Sequence, residues 1–175
     1  MSSVTDTSTG DSSALSGLLA ANERYTAAFS HASLPAAPRL GLAILTCMDA
    51  RLDPARALGL QEGDAHVIRN AGGRASDDAI RSLIVSHLLL GVREVLVIHH
   101  TDCGLQKVTN EELRERLRTS TAVDVSGFEF LVFTNVEASI REDVQAIRSS
   151  TFLGQGISVS GLIYHVHTGR LQEIR

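Results

Sequence analysis

The feature that most constrains the fold is the alternation of short apolar runs with helical patterns. The apolar runs occupy residues 40–45, 65–69, 94–98 and 157–166. Helical periodicity separates them, and parallel strands need crossover connections of this kind. The pattern predicts an α/β fold with a mainly parallel four-stranded sheet and helices on both faces. Residues 171–174 follow a turn at 167–170 and predict one more, antiparallel edge strand.

Length and composition are those of an ordinary globular protein. The chain has 175 residues, of which 43% are hydrophobic and 21% charged. We expect a flexible arm over residues 1–12, which are rich in Ser and Thr, and a single domain over 13–175. The net charge of -4 and the absence of a basic run argue against a nucleic-acid partner.

The sequence also constrains the expected location. The first residues lack the basic and apolar regions of a leader, and no apolar run reaches membrane-spanning length. We therefore expect a cytoplasmic protein with no membrane contact. A reducing compartment disfavours a disulfide between the two cysteines, and inert buried thiols are the plain alternative to a functional role.

An amphipathic helix precedes the first strand. Its apolar stripe consists of Leu15, Leu18, Leu19, Tyr25 and Phe29. This helix packs either on its own domain or across a subunit boundary.

Both cysteines follow strands of the predicted sheet. Cys47 comes just after the first apolar run, and Cys103 lies shortly after the third, in the segment His100-Thr101-Asp102-Cys103. Parallel sheets build their sites at the carboxyl edge, where these residues meet. Two thiolates and one imidazole, with a fourth position open, form the ligand set of a catalytic zinc site. His99 is adjacent to His100, points to the opposite side of the strand and is predicted to be a packed or hydrogen-bonded histidine.

Asp49 and Arg51 lie two and four residues after Cys47. An ion pair between them would keep Asp49 ionised and oriented, so that it accepts a hydrogen bond from the attacking hydroxide on zinc. If Arg51 releases Asp49, the carboxylate becomes a fourth metal ligand and closes the site. The alternative is a surface salt bridge of little energetic value.

Two smaller features lie near the predicted site. Gly72 and Gly73 are expected to let the backbone approach the metal pocket closely, since no phosphate-binding glycine pattern accompanies them. Asp102 either supports the metal site from outside or only forms a turn.

Three segments resemble the signature segments of the β-class carbonic anhydrases. They are Cys47-Met48-Asp49-Ala50-Arg51, Arg69-Asn70-Ala71-Gly72 and His100-Thr101-Asp102-Cys103-Gly104. The resemblance runs from about residue 20 to the end and is closest to the compact prokaryotic subgroup. It implies strand order 2-1-3-4 plus the antiparallel fifth strand. It also implies zinc on Cys47, His100 and Cys103, and Asp49–Arg51 as the catalytic dyad.

The resemblance further implies the activity and the assembly. Zinc-bound hydroxide would attack CO₂ to give bicarbonate, and the protein would be a homodimer or homotetramer whose N-terminal helix wraps the partner. His66 matches a pocket phenylalanine of the plant-type enzymes, so the expected pocket residues are His66, Gly72, Gly73 and Gly104.

Relatives in the compact subgroup hydrolyse carbonyl sulfide or carbon disulfide on the same scaffold, which leaves that activity as the alternative. A third hypothesis is a non-catalytic, zinc-stabilised protein, which a closed four-ligand site would favour.

Overall fold

The computed structural model describes residues 11–121, 123–153 and 156–174. Residues 1–10, which hold most of the predicted flexible arm, lie outside the described residues. The chain divides into two compact units, the first ending at Leu34 and the second beginning at Pro35. The expectation of a single domain over residues 13–175 stays a prediction.

The first unit contains one helix, α1, which spans Asp11–Ala27. The predicted helix is therefore present, although Phe29 lies two residues beyond its end. No helix among the described residues is long and apolar enough to cross a bilayer.

The second unit alternates strands and helices. Its elements are β1 (Leu42–Cys47), α2 (Pro54–Leu58), β2 (Ala65–Asn70), α3 (Asp77–Leu88), β3 (Glu94–His100), α4 (Asn110–Thr121), α5 (Val136–Arg148), β4 (Ser158–His165) and β5 (Arg170–Ile174). Short 3₁₀ turns span Ala71–Gly73 and Gly104–Lys107. All five predicted strands are present, with ends shifted by at most two residues.

The five strands form one sheet in the order β2-β1-β3-β4-β5. The first four are parallel, and β5 pairs with β4 in the antiparallel sense, which confirms the predicted topology. Cys47 lies opposite Asn70 on β2, and His100 lies opposite Tyr164 on β4. The strands therefore deliver these four residues to the same, carboxyl edge of the sheet.

Apolar side chains cover both faces of the sheet. On one face Leu45 and Val97 pack with Leu83 of α3 and Ile140 and Ile147 of α5. Leu42, Ile44 and Ile98 form a second cluster that includes the partly buried Leu58 of α2. Every residue of β1 is buried, so the strand that carries Cys47 is fixed from both sides.

Sequence signals predict three helix starts: Asp53 before Pro54, Ser76 before Asp77, and Thr109 with Glu112 as a capping box. Pro54 begins α2 after Asp53, which accepts a hydrogen bond from the Arg56 amide at 3.1 Å. Ser76 caps α3. At the start of α4 the Glu112 carboxylate accepts from the Thr109 amide at 2.7 Å, and the Thr109 hydroxyl accepts from the Glu112 amide at 3.2 Å. This reciprocal pair is the predicted capping box.

Gly91 predicts the end of the third helix, and residues 128–133 fit either a strand or an extended crossing. The structure corrects the first prediction and decides between the two alternatives of the second. Helix α3 ends at Leu88 rather than at Gly91, because the chain already leaves the helix at Leu89 before Gly91 adopts φ 76°. Residues 128–133, which the pattern left as a strand or an extended crossing, form no strand. Their backbone groups bond to side chains instead: Phe130 donates to Asn110, and Leu131 accepts from Arg74.

Candidate metal centre and catalytic dyad

Three potential metal ligands converge at the carboxyl edge of the sheet. Cys47 is the last residue of β1, His100 is the last residue of β3, and Cys103 follows in the turn after β3. Their donor atoms lie within 4.8 Å of one another, and all three residues are buried. The structure thus brings together the ligand set that strand positions predicted.

The imidazole of His100 is oriented for a metal. Its Nδ1 lies 2.9 Å from the carbonyl oxygen of Thr101, which can only accept, so Nδ1 carries the proton. The lone pair of the neutral ring is then on Nε2, which is buried and has no hydrogen-bond partner. An orphaned buried nitrogen is costly, and coordination of a metal would satisfy it. The donor set therefore fits a metal ion.

The two cysteines share one proton easily. The Cys103 thiol hydrogen-bonds to Cys47 and lowers the pKa of Cys47 to about 4, against the opposing effect of burial. The same interaction raises the pKa of Cys103. Burial opposes protonation of His100, but the adjacent Cys47 thiolate raises the pKa of His100 overall. The lowered pKa favours the thiolate of Cys47, which is the form that binds metal.

Asp49 and Arg51 form a two-pronged ion pair beside these ligands. Arg51 donates from Nε to Oδ1 of Asp49 at 2.9 Å and from Nη2 to Oδ2 at 2.7 Å. The guanidinium lowers the pKa of Asp49, so the carboxylate stays charged. Oδ2 of Asp49 lies 3.8 Å from Nε2 of His100, at the border of the donor triangle.

The ion pair continues beyond Arg51. Asp102 accepts from Nη1 of Arg51 at 2.8 Å through its carboxylate, and from Nη2 at 3.1 Å through its carbonyl oxygen. Lys107 pairs with the other oxygen of the same carboxylate. Lys107 and then Arg51 lower the pKa of Asp102 to about 2. Asp102 therefore does more than form a turn, which answers the question that the sequence left open.

Comparison with known proteins places this geometry in a family. The family model described as carbonic anhydrase matches residues 42–171. The chain is 38% identical over 156 residues to the β-carbonic anhydrase 1 of Mycobacterium tuberculosis, covering 89% of this chain and 94% of that protein. The chain belongs to the β-carbonic anhydrase family.

Further comparisons agree with this assignment and widen it. The crystal structure of a carbonic anhydrase from Streptococcus mutans superposes with a TM-score of 0.89 at 47% identity, covering 93% of this chain and 98% of that one. A carbon disulfide hydrolase of Acidianus sp. is 32% identical over 153 residues, covering 74% of this chain and 75% of that protein. The relatives of this chain therefore include both carbonic anhydrases and a carbon disulfide hydrolase.

Arg69, which lies in one of the three family segments, has contacts that the sequence pattern does not indicate. Arg69 is the last residue but one of β2, and it donates from Nε to the Cys47 carbonyl at 3.1 Å and from Nη2 to the Asp49 carbonyl at 2.7 Å. It therefore braces the backbone of the loop that carries both the ligand and the dyad. Its register opposite Thr46 is the signal that could have revealed it.

Of the two glycines after β2, Gly73 approaches the backbone of Cys47 closely, whereas a Cβ on Gly72 would meet the side chains of Leu105 and Arg74. Gly72 and Gly73 have φ 78° and 72°. A Cβ on Gly73 would lie 2.9 Å from the backbone nitrogen of Cys47. Only glycine combines that conformation with that proximity. Gly104 differs, because it is exposed and a Cβ there would meet no atom within 4 Å.

His66 is not brought to the metal centre within this chain. It pairs in register with Ala43, four residues before Cys47, which corresponds to about 13 Å along the strand. Its Nδ1 lies 2.9 Å from the Ser86 hydroxyl, and its Nε2 lies 3.0 Å from the Ala36 carbonyl. In its own subunit His66 is therefore a structural residue. A place in the pocket of a neighbouring subunit stays a prediction.

His99 is a hydrogen-bonded histidine in a buried polar network, whose other members the sequence pattern does not indicate. The ring is fully buried, with Nδ1 2.9 Å from the Ser139 hydroxyl and Nε2 3.0 Å from Asp143. Asp143 pairs in turn with Arg74 at 2.8 Å, and both side chains are less than a tenth exposed. The network ties α5 to the loop that begins with the two glycines.

Proposed function

We propose that this chain is a zinc enzyme that hydrates CO₂ to bicarbonate. The observation that carries the proposal is the buried, partnerless Nε2 of His100 within 4.8 Å of two cysteine sulfurs, near an arginine-paired carboxylate. Two thiolates and one imidazole match a catalytic zinc set with an open fourth position. Bound zinc would supply a water of lowered pKa as the nucleophile.

Asp49 orients the attacking oxygen. Since Arg51 keeps the carboxylate ionised, Asp49 can only accept a hydrogen bond, and it takes one from the attacking oxygen. This contact turns a lone pair of that oxygen towards the substrate carbon. CO₂ needs no leaving group, so positioning and charge carry the reaction.

Burial of the ligands supports the same chemistry. Cys47, His100 and Cys103 are each 5% exposed or less. Exclusion of bulk solvent strengthens electrostatic interactions within the site, including the contact between Asp49 and the attacking oxygen.

The proposal is tested by stopped-flow CO₂ hydration with the zinc-loaded protein. We expect Asp49→Asn to lower kcat by about 100-fold or more, as loss of a group that positions the nucleophile does. Asp53→Asn is the matched control, because it changes a nearby carboxylate that only caps α2, and asparagine caps equally well. Absence of CO₂ hydration in the wild type, or full activity in Asp49→Asn, would refute the proposal.

Hydrolysis of carbonyl sulfide or carbon disulfide is the second candidate. It is favoured by the 32% identity to a carbon disulfide hydrolase. These substrates are linear and apolar like CO₂, and the same nucleophile would attack the same carbon. Rates with CO₂ and carbonyl sulfide, measured side by side on one preparation, decide between them. A kcat/KM higher for carbonyl sulfide would assign that activity instead.

We also propose that the protein assembles as a homodimer or homotetramer. The support is the exposed apolar surface of the first unit. Its exposed large hydrophobic residues are Leu15, Leu18, Leu19, Tyr25, Phe29 and Leu34. Monomeric proteins seldom leave a contiguous patch of this kind uncovered. A reducing, cytoplasmic location is part of the proposal, because both ligand thiols must stay reduced to bind metal.

A further inference from the structure

The turn after β3 holds its carboxylate in a constrained place. Asp102 has φ 59°, a left-handed conformation that few residues other than glycine, asparagine and aspartate adopt readily. This turn separates His100 from Cys103 and aims the Asp102 side chain at Arg51. The backbone that shapes the metal site therefore also fixes the second carboxylate that contacts Arg51.

Arg51 needs this second contact. Its side chain is 45% exposed, and an exposed arginine–carboxylate pair is worth little alone. Asp102 accepts from both terminal nitrogens of the guanidinium. Held by carboxylates on two sides, the guanidinium has one orientation available, and that orientation engages Asp49.

The Asp102 carboxylate also competes with Asp49 for the positive charge of Arg51. Lys107 pairs with the free oxygen of Asp102, so the charges alternate along Asp49, Arg51, Asp102 and Lys107. Lys107 is the only lysine in the chain, and it ends the 3₁₀ turn that follows Cys103. By neutralising Asp102 it leaves the charge of Arg51 available to Asp49.

We propose that Asp102 and Lys107 are positioning residues that hold Arg51 on Asp49 and thereby keep Asp49 off the fourth metal position. The inference rests on the proposed function, since it concerns the same metal centre. Removal of Lys107 strengthens the pull of Asp102 on Arg51, loosens Asp49 and shifts the site towards the closed state.

The first test reads the fourth metal position without any turnover. Cobalt-loaded protein is titrated with thiocyanate at fixed pH and followed by visible absorption, because the anion binds only an open position. We expect Lys107→Met to weaken thiocyanate binding about two- to fivefold. Lys107→Arg should retain wild-type affinity.

Two controls separate local positioning from general charge. Arg56→Met removes a positive charge from the groove that Arg51 also lines, without touching Asp102, and should weaken binding less than Lys107→Met. Asp102→Asn suits the left-handed turn but removes the negative charge. In that background Lys107→Met should cause no further loss of thiocyanate affinity. An equal effect of Lys107→Met in both backgrounds, or equal effects of Lys107→Met and Arg56→Met, would overturn the proposal.

The second test needs neither metal nor activity. In ¹⁵N-labelled protein the Arg51 Nε–H signal, assigned with Arg51→Lys, reports how firmly the guanidinium is held. Lys107→Met should speed exchange of this proton with water, and Lys107→Arg should not. Unchanged exchange in Lys107→Met would contradict the inference. Failure of CO₂ hydration in the wild type would refute the proposed function. The exchange rate of the Arg51 Nε proton would still test the inference, because it does not depend on activity.

Discussion

Oδ2 of Asp49 lies 3.8 Å from Nε2 of His100 while Arg51 holds the same oxygen at 2.7 Å. The carboxylate therefore has two competing positions, on the guanidinium or on a metal beside His100. This competition explains why one carboxylate can either orient the nucleophile or close the site.

The competition predicts a pH-dependent gate. Because Arg51 lowers the pKa of Asp49, that carboxylate stays ionised as the pH falls from 8 towards the ordinary carboxyl range of about 4. On the proposed function, the attacking oxygen would become protonated over this range and would be a weaker metal ligand, so Asp49 would take the fourth position. We expect activity to fall on acidification more steeply than one ionisation allows.

Arg51→Ala provides the test of this gate. Without its partner, Asp49 should close the site even at alkaline pH. The loss in kcat/KM should correspond to a free energy well above the ~0–1 kcal/mol of a surface ion pair. Crystals of the zinc-loaded protein at low and high pH show the fourth ligand directly. The same fourth ligand at both pH values, together with normal turnover of Arg51→Ala, would remove the gate.

The approach of Gly73 to Cys47 predicts an unequal pair of glycine variants. Gly73→Ala and Gly91→Ala both place a Cβ at positive φ, which costs about 1–2 kcal/mol. Only Gly73→Ala also brings the Cβ to 2.9 Å from backbone atoms of Thr46 and Cys47, whereas the position at Gly91 is open. Chemical denaturation should show Gly73→Ala to be destabilised more, by about a further 1–3 kcal/mol. Equal losses would show that the backbone contact is relaxed at no cost.

Asp64 predicts an acid-sensitive contribution to stability. The Arg39 guanidinium donates to this buried carboxylate at 2.8 Å, and the Gln61 amide donates at 2.9 Å. Arg39 and then the Gln61 amide lower the pKa of Asp64 below 3.8. The stabilisation is therefore present above pH 3.8 and is lost as the pH falls through the lower folded-state pKa.

Asp64→Asn should therefore lower the free energy of unfolding at neutral pH, and the difference from wild type should shrink in acid. Asp78→Asn is the matched control, because Asp78 and its partner Arg81 are both at least 70% exposed. Solvent screens such a pair, so this variant should change stability little. Denaturation at several pH values checks both variants. A difference that does not change with pH would show that the charge of Asp64 is not the cause.

The exposed apolar surface of α1 predicts the role of the first unit in assembly. Removal of residues 1–34, the whole first unit, should convert the oligomer into an aggregating or inactive protein. In the proposed assembly this unit packs on the partner subunit, and its removal would expose apolar surface there. Light scattering after size-exclusion chromatography measures the mass. A stable, active monomer after this truncation would contradict the assembly.

The sequence predicted the sheet, and the convergence of Cys47, His100 and Cys103, because both follow from local patterns. Strand periodicity locates β1 and β3, and parallel pairing then brings Cys47 and Cys103 to one edge. The contacts of Lys107 and Arg74 could not be predicted in this way. They depend on turn geometry and on side chains that reach between distant segments, as Arg74 reaches Asp143 on α5.

The segment 128–133 shows a different limit. Its aromatic residues suit a strand, yet the segment pairs with neither edge strand, β2 or β5. Phe133 instead packs beside Cys47 and Cys103 in a small apolar cluster. Burial of one side chain, rather than strand pairing, determines the path of this segment.

Metal analysis tests the central claim most directly. Wild-type protein purified without chelators should carry about one zinc ion per chain, bound by Cys47, His100 and Cys103. Cys103→Ser should carry far less, whereas His167→Ala, which removes an exposed histidine, should match the wild type. A wild type without zinc, or full zinc occupancy in Cys103→Ser, would contradict the account.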